Sequence, residues 1–201
     1  MKTLKIHLIR HGLTDANILG EYIGSRTDLP ISPESLNELK FLRENFEYPQ
    51  IDAVYSSPML RCKQTAAVLF PDFSPTCVEN LTEYDFGDFE GKTAAELENN
   101  PDFLDWASGK ISATPNGEDN NDFLKRLCVG LNQIVLDMIE KDIESSAVIM
   151  HGGAIMMLLA ATAVPRRHPA EWTSEAGHGY SLLITPSLYH KSGVVEVTHI
   201  I

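Results

Sequence analysis

Residues 147–164 read Ala-Val-Ile-Met-His-Gly-Gly-Ala-Ile-Met-Met-Leu-Leu-Ala-Ala-Thr-Ala-Val, an uncharged run long and apolar enough to raise a membrane span. His151-Gly152-Gly153 breaks it near its start. Ala147 to Met150 then reads as a buried strand and Ala154 to Val164 as a buried helix that Pro165 ends. A strand, a glycine turn and a helix follow one another within this single stretch.

The same alternation extends to both sides. Thr3 to Ile9 is a strand ending at the charged Arg10, and a long polar loop follows. Ser32-Pro33-Glu34 places a capping hydroxyl before a proline, and Leu36, Leu39, Leu42 and Phe46 supply an apolar stripe, predicting a helix to about Phe46. Ile51 to Tyr55 is a short strand, and Ser57-Pro58 repeats the cap-then-proline start before Leu60, Ala67, Val68 and Leu69. Thr76 to Val78 reads as a further short strand. Asp119 to Glu144 carries Phe123, Leu127, Leu131, Ile134, Val135, Met138 and Ile139 at helical spacing. Tyr180 to Thr185 and Val194 to Ile200 read as the last strands, with a turn at Ser192-Gly193. The order implies an α/β fold: a three-layer sandwich with a mostly parallel central sheet and helices on both faces. Residues 1–201 read as one domain, interrupted at about 81–118 by an inserted helical cap region in which Thr93-x-x-Glu96 matches a capping box.

At 201 residues the chain can bury a core without disulfides or structural metal, which sets aside disorder and cystine-rich scaffolds. Sixteen basic against 28 acidic residues leave a net charge of −12, which repels nucleic acid and anionic membranes. Cys62, Cys77 and Cys128 are odd in number and unpaired in pattern, as expected of reduced thiols in the cytoplasm. His7 and Arg10 interrupt the apolar start, so Met1 to Ile9 does not read as a signal peptide. The Asn-x-Thr at Asn80 then carries no weight.

Two histidines stand at strand ends. Arg10-His11-Gly12 follows the first strand, and His151-Gly152-Gly153 lies between a strand and a helix start whose amides lack partners. Open α/β sheets bind ligands at this carboxyl edge, so the two point to one shared pocket. Arg61 falls in the first turn of its helix, where a positive charge does not help the helix dipole.

Leu8-Ile9-Arg10-His11-Gly12-Leu13-Thr14 with Asn17, and Ser56-Ser57-Pro58-Met59-Leu60-Arg61-Cys62-Lys63-Gln64-Thr65-Ala66, resemble two motifs of the histidine phosphatase superfamily, also called the phosphoglycerate mutase-like family. Leu81-Thr82-Glu83 with Phe86-Gly87-Asp88-Phe89-Glu90-Gly91 resembles the segment holding its acid, and His151-Gly152-Gly153 its second histidine. The four motifs fall in order along nearly the whole chain, and the stretches 83–91 and 115–118 look like those of the short α-ribazole phosphatase-like members. The sequence departs from the pattern at Leu13, where Glu or Gln is frequent, and at Ser35 and Glu38, where Gly and Gln are.

The resemblance implies that His11 attacks phosphorus and forms a phosphohistidine that water hydrolyses. Arg10 and Arg61 would grip phosphoryl oxygens and disfavour a protonated His11. His151 would stabilise the transferring group, Glu83 would act as general acid and base, and Asn17, Gly24 and Gly152 would join Arg10, Arg61 and His151 around the phosphate. Asp85, Asp88 and Glu90 are rival carboxylates near Glu83. No cofactor or metal is required: His-Glu-x-x-His is absent, and Asp119-Asn120-Asn121-Asp122 lacks the calcium-loop spacing. The implied substrate is a small-molecule phosphate ester, such as α-ribazole 5′-phosphate or a sugar- or glycerate-type phosphate. No nucleic acid or membrane partner is expected, and monomer and homodimer both stay open.

A mutase, which returns the phosphoryl group to a second alcohol, is the nearest alternative, and a non-catalytic phosphate-binding domain is the next. A serine hydrolase and a P-loop nucleotide binder fail because Gly-x-Ser-x-Gly and Gly-x-x-x-x-Gly-Lys-[Ser/Thr] are absent. Phe86, Phe89, Phe103, Trp106 and Trp172 read as core packing, with a wall for a ring-bearing ester as the other reading.

Overall fold

The computed structural model describes residues 2–201. Its elements in chain order are β1 (Leu4–Arg10), α1 (Asp15–Ile18), α2 (Pro33–Asn45), β2 (Ala53–Ser56), α3 (Leu60–Leu69), β3 (Thr76–Cys77), α4 (Ala94–Leu97), α5 (Pro101–Ala107), α6 (Asn120–Glu140), β4 (Ser145–Met150), α7 (Gly152–Thr162), β5 (Ala163–Val164), β6 (Gly179–Ile184), α8 (Pro186–Ser192) and β7 (Val195–Ile200). The strands make one sheet in the order β3-β2-β4-β1-β6-β7-β5. Its β3-β2-β4-β1 half is parallel, whereas β6 runs antiparallel to both β1 and β7.

Alternation of side chains along the strands divides the core into two layers. Ile6, Leu8, Val148 and Met150 pack with Leu127, Leu131 and Ile134 of α6 and Ile155 and Leu158 of α7. Ile9, Val54, Ala147 and Ile149 meet Leu39 of α2 and Cys62, Ala66 and Leu69 of α3 on the other face. Helix α7 can be apolar on nearly every side because it is enclosed by the sheet and α6. His7, which shares a face with Ile9, is buried and bonds Ser181 Oγ and Ser145 Oγ.

Parallel strands bring their carboxyl ends to one edge. The register pairs Arg10 with Met150 and Ser56 with Ile149. Beyond the strands, the His11 N–H donates to Met150 O at 3.0 Å and the Ser57 N–H to Ile149 O at 2.9 Å. Residues 11, 57 and 151 are therefore neighbours before any side chain is considered.

Local differences from the sequence reading have physical causes. The helix expected through Glu144 stops at Glu140, because Asp142 takes a left-handed backbone (φ 54°) before β4 begins. The helix expected to run to Val164 ends at Thr162, and Ala163–Val164 pair with β7 instead. Helix α1 falls in the expected loop, where Thr14 and Asn17 cap each other, and α8 occupies the link between β6 and β7. Ser57 is not a helix cap: Met59 holds that position without a side-chain bond. The insert at 81–118 holds α4, with the Thr93–Glu96 box formed, and α5.

Replacing Leu131 on the buried face of α6 with Ala is expected to cost about 2–5 kcal/mol in urea unfolding. Val129→Ala on the exposed face of the same helix should stay within about 0.5 kcal/mol.

Candidate active site

Five predicted side chains converge at the carboxyl edge of the parallel strands. Arg10 and His11 leave β1, Arg61 lies in the first turn of α3, His151 caps α7, and Glu83 arrives from the segment after β3. His11, Arg61, Glu83 and His151 are all buried.

The hydrogen bonds fix the histidine tautomers. His11 Nδ1 lies 2.7 Å from Gly12 O, and a carbonyl only accepts, so Nδ1 carries the proton and Nε2 keeps the lone pair. Burial first, then the Arg61 charge, push its pKa down to about 3, with Arg10 contributing less and the Gly12 bond opposing. Arg61 Nε donates to His151 Nδ1 at 3.3 Å, so the His151 proton sits on Nε2, 2.8 Å from Ser57 Oγ. His151 is held well below the usual imidazole range by burial, then by His11 and Arg61. The two rings meet edge to face with centroids 5.0 Å apart.

Arg61 has no exposed surface and donates further to Thr27 O and Gly24 O, each at 3.1 Å. Arg10 Nη1 donates to Ser174 O at 2.7 Å, while its buried Nε has no partner. Among the described residues neither guanidinium forms an ion pair within 4 Å. Two largely desolvated cations without a counter-ion, beside a neutral imidazole, make a site for an anion.

Glu83 Oε1 accepts from the Tyr84 N–H at 2.9 Å and Oε2 from the Gly153 N–H at 3.1 Å. Burial raises its pKa against the opposing pull of those bonds, Arg61 and Arg126. The first free amide of α7 past Gly152 is thus committed to this carboxylate. A Cβ at Gly153 would stand 2.9 Å from Glu83 Oε1, so a side chain there would push the carboxyl aside. The rival carboxylates are engaged elsewhere: Asp85 pairs with Arg26, Asp88 accepts from Asn116, and Glu90 accepts from Gly24 N–H.

Three phosphate-set residues are placed less directly. Gly24 spends its N–H on Glu90 and its carbonyl on Arg61, so it holds the arginine and offers no free amide. A Cβ at Gly24 would fall 1.9 Å from Tyr84 O, which explains the glycine. Gly152 packs under the Arg10 guanidinium, and Asn17 lies at the rim, lining a cleft with Arg10.

Two further residues escape the sequence reading. Ser57, taken there for a cap, bonds His151. Arg126 of α6 donates to Glu118 (2.6 and 2.9 Å), Thr82 O (2.7 Å) and Glu83 O (2.8 Å), holding the backbone that presents Glu83. Phe86, Phe89, Phe103 and Trp106 pack together with Tyr22 and Tyr84 in the insert, whereas Trp172 lies apart on Tyr180. Among the described residues no group of three or more His, Cys, Asp or Glu is placed to hold a metal, and no helix is long and apolar enough to cross a membrane.

The fold and this constellation define an α/β protein with a buried, positively charged site at the carboxyl edge of its parallel strands. A family model described as "Histidine phosphatase superfamily (branch 1)" matches residues 6–186, and the chain belongs to that superfamily, as a phosphatase. A putative phosphoserine phosphatase 2 of Hydrogenobacter thermophilus is 28% identical over 75% of this chain and 74% of its own. The adenosylcobalamin/alpha-ribazole phosphatase of Salmonella typhimurium is 26% identical over 78% of both chains. Among solved structures, a putative alpha-ribazole-5′-P phosphatase from Escherichia coli superposes with a TM-score of 0.80 at 20% identity, covering 98% of this chain and 95% of its own.

The buried neutral histidines tie stability to pH. With folded pKa values of about 3 for His11 and about 4 for His7, against about 6.5 unfolded, the unfolded chain binds more protons below pH 6.5. Unfolding free energy measured by urea titration should therefore fall from pH 6.5 toward pH 4, by at most about 1.4 kcal/mol per unit for each histidine kept neutral. His7→Asn should flatten that slope.

Proposed function

We propose that this phosphatase hydrolyses small-molecule phosphate monoesters through a covalent phosphohistidine at His11, without a metal. The observation that carries the reading is the fixed tautomer of His11 beside the buried Arg61 and half-buried Arg10 guanidiniums, neither of which forms a salt bridge among the described residues.

The phosphoryl dianion supplies the missing negative charge and takes the unused donors of Arg10 and Arg61. His11 Nε2 attacks phosphorus in line as the ester bond to the alcohol oxygen breaks. Glu83, whose carboxyl pKa is pushed up by burial, gives its proton to that oxygen. The carboxylate then takes a proton from water, whose oxygen attacks phosphorus and breaks the phosphorus–nitrogen bond, releasing inorganic phosphate. His151, kept neutral with its Nδ1 accepting from Arg61, turns its Nε2 proton from Ser57 Oγ to an equatorial oxygen of the transferring group. Asn17 adds a neutral donor at the rim. Water as the acceptor distinguishes this reading from the mutase alternative, in which a second alcohol takes the phosphoryl group. The resemblance puts forward α-ribazole 5′-phosphate and sugar- or glycerate-type phosphates as substrates. Free Cys62, Cys77 and Cys128 fit a reducing, cytoplasmic setting.

Phosphate release from a panel of esters in the presence of chelator should persist in the wild type and vanish in His11→Ala. Equal activity of the variant would remove His11 as nucleophile, and transfer to an added alcohol in preference to water would favour the mutase. Because His11 stays neutral down to about pH 3, the decline in kcat/KM should lie on the alkaline side, where Glu83 loses its proton. Glu83→Gln should abolish that limb and slow alkyl esters by about 10²–10⁴-fold. Aryl phosphates, whose leaving groups need no proton, should be spared in kcat/KM, which ends at phosphorylation of His11, and equal losses of kcat/KM on both would count against the acid role.

A further inference from the structure

The four reactive side chains are closed over, but the site has a mouth. Arg10 and Asn17 line a cleft of about 710 Å³ between the middle of α2, the turn after β1 and the loop leading into β6. That volume suits a small ligand. The opposite side, toward Gly24, is filled by the packed aromatic rings of the insert. Arg10 lines this cleft, and its buried Nε, beside Gly152, has no partner.

The walls of the cleft divide into two chemistries. Leu13, Phe41, Leu42 and Ala176 form an apolar side, with Phe41 64% exposed. Glu38 of α2 and Glu175 before β6 add two carboxylates, and among the described residues neither forms an ion pair. Arg10 is the sole lysine or arginine of the lining. Once a phosphoryl group occupies Arg10, the rest of the cleft offers its apolar side, the polar Asn17, Asn37 and His178, and two carboxylates.

We infer that this cleft receives the alcohol half of the ester, and that Glu38 and Glu175 make it select alcohols bearing a positive charge over alcohols bearing a carboxylate. The inference rests on the hydrolase reading and narrows it: glycerate-type esters are disfavoured and amino-alcohol phosphates favoured. A carboxylate in the cleft meets two like charges, whereas an ammonium group meets two opposite ones.

The test is kcat/KM for a matched series, 2-aminoethyl, 2-hydroxyethyl and 2-carboxyethyl phosphate, with 4-nitrophenyl phosphate as reference. The wild type should prefer the amine over the carboxylate by about tenfold or more at low ionic strength. In the Glu38→Gln/Glu175→Gln double variant, two exposed substitutions, that ratio should contract to within about threefold with 4-nitrophenyl phosphate turnover retained. A flat or reversed order in the wild type, or an order that survives the double substitution, overturns the inference. Dissociation constants of the three esters for His11→Ala protein separate the two readings. If nothing is hydrolysed but the affinity order holds, the hydrolase reading falls and the cleft assignment stands. If 4-nitrophenyl phosphate is turned over and the affinity order is absent, the cleft assignment falls alone.

Discussion

A guanidinium with no exposed surface and no counter-carboxylate is the constraint around which this molecule is arranged. Burying an unpaired charge is costly, and Arg61 is tolerated because each edge of its fork meets an acceptor: Thr27 O, Gly24 O and His151 Nδ1. Those acceptors fix the backbone around residues 24–27 and the tautomer of His151. The compensation stops at hydrogen bonds, so the positive charge itself is left for a ligand to answer. Arg10, with a buried Nε that nothing accepts from, adds to the same unmet demand.

Much of this was readable because strand ends and glycine turns are local patterns. Arg10-His11-Gly12 and His151-Gly152-Gly153 announce themselves within a few residues, and parallel pairing then brings them together through register. The apolar stripes of α2 and α6 carried the layers in the same way. Ser57 was misread because its hydroxyl partner is 94 residues away, and locally Ser-Pro looks like a helix start. Helix α1 escaped because its reciprocal cap uses Asn17 in place of the usual Glu or Gln. Glu83 could be separated from Asp85, Asp88 and Glu90 only by the family resemblance, since the four share one chemistry and differ in what the folded chain places beside them. Arg126 had no signature at all: its stations at Asn80, Thr82 and Glu83 are more than forty residues distant.

The electrostatics divide the labour between burial and charge. Desolvation raises Glu83 and lowers His11 and His151, in each case favouring the neutral form. The arginines reinforce that effect on the histidines and oppose it on the carboxyl group. Burial thus favours the neutral form at each proton-carrying group, while the positive charge of the site sits on its guanidiniums.

Arg126 holds Thr82 and Glu83 at one end of the insert and Glu118 at the other, while Gly153 at the start of α7 holds the Glu83 carboxylate. Both anchors stand on helices of the central sandwich. The excursion between them is therefore a loop whose two ends are pinned at a single point. The stitching also runs outward: Glu90 of the insert holds the Gly24 N–H and the Gly24 carbonyl holds Arg61, so the insert acts as a splint for the arginine as well as for the acid.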